Sequence, residues 1–203
     1  MSIDVPADNP PTLSPEELFC LEGCSTYTQY HHMRSNFEKG FCVFCNLDRQ
    51  RNKVLWEDQH FMLWEVPAGM GKTRPLAHHI LIVPKRHRRF VANLTTREAV
   101  SMVRANKFAR ETLGYTGGLN HAREGDMRNN AGTVPHLHFN LFQPSGEKPV
   151  EVSVFKNPEK RQANQERAAG FAEHYNQGVS PERFDELVSA GTMSPDGYQA
   201  SQI

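Results

Sequence analysis

Residues 131–142 read AGTVPHLHFNLF, and within this run polar and apolar side chains alternate strictly from His136 to Leu141. Successive side chains of a β-strand point to opposite faces, and residues two apart sit about 7 Å apart on the same face. The pattern therefore predicts a strand over 134–142. His136, His138 and Asn140 share one face, and Leu137, Phe139 and Leu141 pack into a core. Such a face suits a solvated strand edge, a metal site or a catalytic group. The stretch before it narrows the choice. Asn129, Asn130, Gly132 and Thr133 form a glycine- and asparagine-rich loop, and exposed backbone N–H groups in such a loop can hold phosphate oxygens.

The remaining pattern alternates short strands with helices. KVLWEDQHFMLWEV predicts a hairpin turning at Glu57-Asp58, and HHILIVPKRH a strand closed by Pro84. LTTREAVSMVRANKFARETLG predicts the main helix, with Thr95 and Glu98 as a capping box, apolar Val100, Val103, Phe108 and Leu113, and Gly114 as the stop. KPVEVSVFK predicts another strand. SPEELFCLEGC, capped by Ser14 with Pro15 and Glu17 following, predicts a short N-terminal helix, whereas residues 25–41 carry no clear signal. PEKRQANQERAAGFAEHY and SPERFDELVSAG predict two C-terminal helices, the second capped by Ser180 and stopped at Gly191. The fold class expected is α+β: a mainly antiparallel sheet with one main packing helix, plus N- and C-terminal helical extensions. The divisions expected are an extension over 1–41, partly disordered in its proline-rich first 13 residues, a sheet domain over 42–156 and a helical extension over 157–203.

The bulk properties weigh against several partners without excluding nucleic acid, since local basic runs could still bind it. Lysine plus arginine equals aspartate plus glutamate at 23 each, so no overall field draws the chain to nucleic acid or to an acidic membrane. No apolar run reaches the roughly 18–20 residues of a membrane span, and the N-terminus has no signal-peptide core. A cytoplasmic protein is expected. Four cysteines in 203 residues do not make a disulfide scaffold, and Cys42-x-x-Cys45 points to a metal pair, a redox pair or a buried reduced pair.

An imidazole on a rigid strand, beside hydrogen-bond donors, suits attack on phosphorus. It is largely neutral near pH 7 and leaves readily from the phosphoramidate formed. It needs its second nitrogen fixed by an acceptor, and donors around the non-bridging oxygens.

TVPHLHFNLF resembles the signature strand of the histidine triad (HIT) superfamily of nucleotide hydrolases and transferases, His-φ-His-φ-His-φ-φ with φ apolar. CVFCNL is similar to that family's N-terminal Cys-φ-φ-Cys segment, VLWEDQHFMLW to its first hairpin, and HHILIVPKRH to its Gly-His strand ending in Pro-Lys-x-His. The four pieces stand in the expected order over about residues 42–155. The resemblance implies a HIT-like fold and a nucleotide or nucleotide-conjugate substrate, with a homodimer as a common assembly. It makes His138 the nucleophile that is transiently nucleotidylated, His136 and His79 its supports, and Thr133 the hydroxyl residue before the motif. It also implies a structural zinc held by Cys42, Cys45, His87 and His136, and no catalytic metal.

The departures bear on activity. Asn140 replaces the third histidine; it cannot act as an acid but can hydrogen-bond a phosphate or leaving-group oxygen. The resemblance is then to branches that place glutamine there and transfer the nucleotidyl group to phosphate or a sugar phosphate. Ala131-Gly132 stands where Gly-Gln is usual, His78 where glycine is usual, and the ribose-holding residue is replaced by Val66, with Glu65 one position away. Arg123, Asn130, Gly132 and Thr133 are the candidate substrate-binding residues. The alternative expectation is a catalytically degenerate nucleotide-binding or regulatory module. PKRHRRF is expected to be a solvated basic face, GMGKT at 69–73 a turn, Trp56 and Trp64 core residues, and His60 and His121 ordinary polar residues.

Overall fold

The computed structural model describes residues 20–66, 76–130, 132–147 and 158–197. Five strands form one sheet in the order β1-β2-β3-β5-β4, every neighbouring pair antiparallel. They are β1 (Val54–Glu57), β2 (Phe61–Glu65), β3 (Leu76–Pro84), β4 (Leu119–Arg123) and β5 (His138–Pro144). The helices are α1 (Tyr27–Glu38), α2 (Thr96–Thr112), the single turn α3 (Met127–Asn130), α4 (Pro158–Asn176) and α5 (Pro181–Ser189). This is the α+β architecture expected. The N-terminal helix cap at Ser14, the strand over 148–156 and GMGKT lie outside the described residues.

The β1–β2 hairpin forms where the sequence places it. Asp58 accepts from the backbone N–H groups of His60 and Phe61 at 2.8 and 2.9 Å, which sets the turn, and Ser101 donates to the same carboxylate at 2.6 Å. That last bond ties α2 to the hairpin. The Thr95–Glu98 capping box is present, and Gly114 takes φ +74° after the helix, in the left-handed region glycine tolerates. The buried stripe of α2 is Ser101, Ala105 and Ala109, with Val100 and Val103 turned to solvent. Small side chains spaced four apart let the helix approach the sheet closely, and the two valines fall off that stripe.

One sheet face packs under α2 through Phe61, Leu63, Ile80, Ile82, Leu137, Phe139 and Leu141. The opposite face carries Met62, Trp64 and Val83, covered by Phe44 and Leu47. β5 starts at His138 rather than at 134. Pro135 cannot donate to a ladder, and the N–H of Leu137 goes instead to the carbonyl of Arg88 at 2.6 Å.

Residues 25–41, unreadable in the sequence, form α1, capped by Thr26 accepting from the N–H of Gln29. It packs with α4 and α5 in a second apolar cluster of Cys24, Tyr27, Tyr30, Phe171, Phe184 and Met193. Tyr27 stacks on Phe184 at 4.2 Å between ring centroids and donates to the carbonyl of Val179 at 2.6 Å. Leu21–Gly23, the described tail of the expected first helix, is one 3₁₀ turn. It lies against the loop before β5, where the N–H of Cys20 donates to the carbonyl of Thr133 at 2.8 Å.

Candidate functional site

Antiparallel register assembles the site on the sheet face away from α2. Directly opposite partners share a face. β5 places His138 across from Arg123 and Asn140 across from His121 on β4, and Phe142 across from His79 on β3.

His138 is buried, with 7% of its surface exposed. Its Nδ1–H donates to the carbonyl of His136 at 2.7 Å. A carbonyl only accepts, so this bond fixes the tautomer and leaves a lone pair on Nε2. Burial lowers the ring's pKa to about 3; the His136 carbonyl opposes the shift and the Arg123 charge reinforces it. The imidazole is therefore neutral through the physiological range, as a nucleophile requires. The ring of Phe44 lies edge-on to it at 5.2 Å.

Asn140 is 3% exposed, and its Oδ1 accepts from His79 Nε2–H at 3.1 Å. Its amide Nδ2 is buried and has no hydrogen-bond partner among the described residues. An unsatisfied buried donor costs about 1–3 kcal/mol, and an oxygen of a bound ligand would relieve that cost. Arg123 is buried beside His138, and its guanidinium offers planar paired donors of the kind that match phosphate.

His136 turns toward the cysteines. Its Nε2–H donates to the carbonyl of Pro84 at 2.9 Å, and its Nδ1 lies 3.4 Å from Cys42 Sγ and 3.5 Å from Cys45 Sγ. It supports His138 through its backbone carbonyl. His79 meets Asn140 rather than His138. The loop also differs from expectation: the N–H of Gly132 donates to the carbonyl of Met127 at 3.2 Å and that of Asn129 to the carbonyl of Asp126 at 3.0 Å. These two amides close the loop on itself. The side chain of Asn130 lies outside the described residues.

Cys42, Cys45, His87 and His136 converge, their ligand atoms all within 4.8 Å of one another. His87 Nδ1 stands 3.5 Å from Cys45 Sγ. Zinc bonded to sulfur at about 2.3 Å and to nitrogen at about 2.0–2.1 Å in a tetrahedron sets sulfur and nitrogen ligands about 3.5 Å apart. The three sulfur–nitrogen separations match. The Pro84 carbonyl holds the His136 proton on Nε2, so a lone pair faces the sulfurs, as an outer-shell acceptor does for a metal-bound histidine. The Cys42 thiol is held well below the usual thiol range, by the hydrogen bond from Cys45 first and by His136 against the effect of burial. Cys24 packs in the helical cluster, apart from these four residues.

PKRHRRF is not one solvated face: Lys85 pairs with Glu57 at 2.6 Å, and Arg88 is buried against Glu98 at 3.1 Å. Glu65 bonds His78 at 2.8 Å, and both side chains belong to the α2 side of the sheet by strand alternation, so Glu65 does not reach the site. Trp64 is core, and Trp56 packs near Phe108 at 6.4 Å between ring centroids. Phe44, which wedges against Trp64, His136 and His138, was not singled out in the sequence. Its position inside Cys-x-x-Cys was the available signal.

Neither a family model nor a curated protein matches the sequence. Solved structures do. A Zn-bound histidine triad family protein from Mycobacterium smegmatis is 20% identical, with 67% of this chain and 96% of that one covered and a TM-score of 0.38. A HIT family hydrolase from Clostridium thermocellum is 23% identical, covering 55% and 96% with a TM-score of 0.40. A histidine triad nucleotide-binding protein from Candida albicans is 17% identical, covering 69% and 100% with a TM-score of 0.40. What the structure itself gives is an α+β fold, one five-stranded antiparallel sheet with its helices.

Proposed function

We propose that this protein is a histidine triad enzyme that cleaves a nucleotide at its α-phosphate, as hydrolase or nucleotidyltransferase, through a nucleotidyl-His138 intermediate. The substrate class is a dinucleoside polyphosphate, a nucleoside phosphoramidate or a nucleotide sugar. One observation carries this: the His138 ring is neutral, its Nδ1–H is tied to the His136 carbonyl, and Nε2 is left as the lone-pair nitrogen on a face that also holds Arg123 and Asn140. Attack forms an Nε2–phosphorus bond as the bond to the leaving group breaks. Arg123 and the Asn140 amide stabilise charge on the non-bridging oxygens, and Thr133 is the hydroxyl residue that the motif offers beside them. The amide of Asn140 in the third place resembles branches that carry glutamine there, and by that resemblance transfer of the nucleotidyl group to a phosphate acceptor is favoured over hydrolysis. A structural zinc, held by Cys42, Cys45, His87 and His136, would cross-link residues 42–45 to the sheet.

Single-turnover incubation with nucleotide conjugates labelled at the α-phosphate, with and without inorganic phosphate, tests this. Wild-type chain becomes labelled, phosphate accelerates release, and His138→Ala abolishes labelling. Binding with neither labelling nor turnover would instead identify a regulatory nucleotide-binding module, for which the loss of the third histidine is the motivating feature.

A further inference from the structure

The proposed reaction still needs a proton. Attack by His138 expels an oxygen or nitrogen that leaves easily only if it is protonated, and the third place of the motif holds an amide. The register of the sheet supplies an imidazole beside that amide. His121 on β4 is the direct cross-strand partner of Asn140, and side chains so paired have Cβ atoms about 4.5–5.5 Å apart on one face. The orientation of the ring agrees with this: it lies 5.3 Å from the ring of Phe142, which lies 4.4 Å from the ring of His79, the partner of Asn140. Along β4 the sequence L-N-H-A-R puts His121 and Arg123 on one face two residues apart. Arg123 thereby faces the nucleophile and His121 faces the third place. A two-residue offset of about 7 Å is comparable to the span from an attacking nitrogen, across phosphorus, to a donor bonded to the leaving atom.

We infer that His121 is the general acid of this site, taking from an adjacent strand the proton-donating part that Asn140 cannot play. The inference rests on His138 being the nucleophile. In the first step the Nε2 lone pair of His138 forms the bond to phosphorus, the phosphorus–leaving-atom bond breaks with its electron pair going to the leaving atom, and that atom takes a proton from the His121 imidazolium. In the second step water, or a hydroxyl or phosphate acceptor, bonds to phosphorus, the pair of the nitrogen–phosphorus bond returns to Nε2, and the acceptor's proton passes to His121. The imidazolium is then restored. The substrates that need this residue are those with basic leaving groups, alkylamines above all.

Two adenylate substrates separate the possibilities: adenosine 5′-phosphoramidate substituted with an alkylamine, and the p-nitrophenyl ester of adenosine 5′-monophosphate, whose leaving group departs without a proton. His121→Gln lowers kcat about 10²–10⁴-fold with the alkylamide and less than about threefold with the nitrophenyl ester. The exchange variant His121→Asn with Asn140→His returns an imidazole to the pair and recovers part of the alkylamide rate. Equal loss on both substrates, or loss on neither, overturns the inference and assigns His121 to packing against Phe142. For the wild-type chain, a series of phenyl esters provides a measurement independent of variant folding: rates nearly flat with leaving-group basicity support the acid, and a steep fall overturns it. His138→Ala is the separating control. If that variant still turns over the nitrophenyl ester at the wild-type rate, the nucleophile assignment itself has failed.

Discussion

The backbone N–H of Leu137 donates to the carbonyl of Arg88 at 2.6 Å, so the residue between the two histidines hangs from one whose side chain is locked in a buried ion pair with Glu98. Glu98 also closes the capping box of α2. The carboxylate therefore connects the main helix to the entry of β5.

Removing that carboxylate is predicted to cost more than an ordinary surface change. Glu98→Gln strands a buried guanidinium and is expected to lose about 3–5 kcal/mol in urea unfolding. Burial pushes the Glu98 pKa up, but the bonds from Thr95 and Arg88 outweigh it and hold the group below the usual carboxylate range. A depressed folded-state pKa gives stability that is present above the unfolded value and lost as pH falls through the folded one. Urea midpoints measured from pH 7 down to pH 3 should fall with acid for the wild type, and fall less for Glu98→Gln.

The cysteine–histidine cluster makes a prediction that does not depend on activity. Purified chain is expected to carry one zinc, measured by elemental analysis. Cys45→Ser and His87→Ala lose it, whereas Cys24→Ser keeps it. Zinc at a hundredfold excess over its Kd raises stability by about 2.7 kcal/mol, so a chelator should lower Tm for the wild type and leave Cys45→Ser unmoved. Wild-type chain purified with no metal and indifferent to added zinc would refute the assignment.

The Asn140 Nδ2 group, without a hydrogen-bond partner among the described residues, should matter to the reaction more than to the fold. Asn140→Ala removes a donor to a charged phosphate oxygen, a bond of about 1.5–3 kcal/mol, so kcat/KM should drop about 10- to 150-fold. Asn140→Asp, which sets a negative charge beside the phosphate, should be worse than alanine. A variant with alanine at 140 and unchanged kcat/KM would remove Asn140 from the site.

Gly23 tests the contact between the N-terminal segment and the loop before β5. A Cβ there would stand 2.4 Å from the carbonyl oxygen of Gly132 and 2.7 Å from Thr133 Cγ2. Since backbone must move to admit it, Gly23→Ala is expected to cost about 1–3 kcal/mol and to weaken nucleotide binding by displacing Thr133. Calorimetric titration with a non-hydrolysed nucleotide analogue alongside thermal unfolding would show both effects, and unchanged values for both would contradict the contact.

Much of the site was legible because strand alternation alone assigns faces: His138 and Asn140 to one side, Leu137, Phe139 and Leu141 to the other. What alternation could not reveal is which strands become neighbours. His121 looked like an ordinary polar residue until β4 paired with β5, and Arg88 looked like part of a basic surface until α2 brought Glu98 to it. Pro135 moved the start of β5 past His136, which freed that ring to turn toward the cysteines. α1 escaped notice because its apolar side is a few aromatic residues whose partners, Phe171 and Phe184, lie more than a hundred positions away.

That distant pairing has a practical meaning for anyone trimming the chain. With Tyr27 stacked on Phe184 and edge-on to Phe171, the helices before and after the sheet shield each other's oily surfaces. Cutting away one end alone would uncover the other and invite clumping, so the two flanks behave as one unit, kept together or removed together.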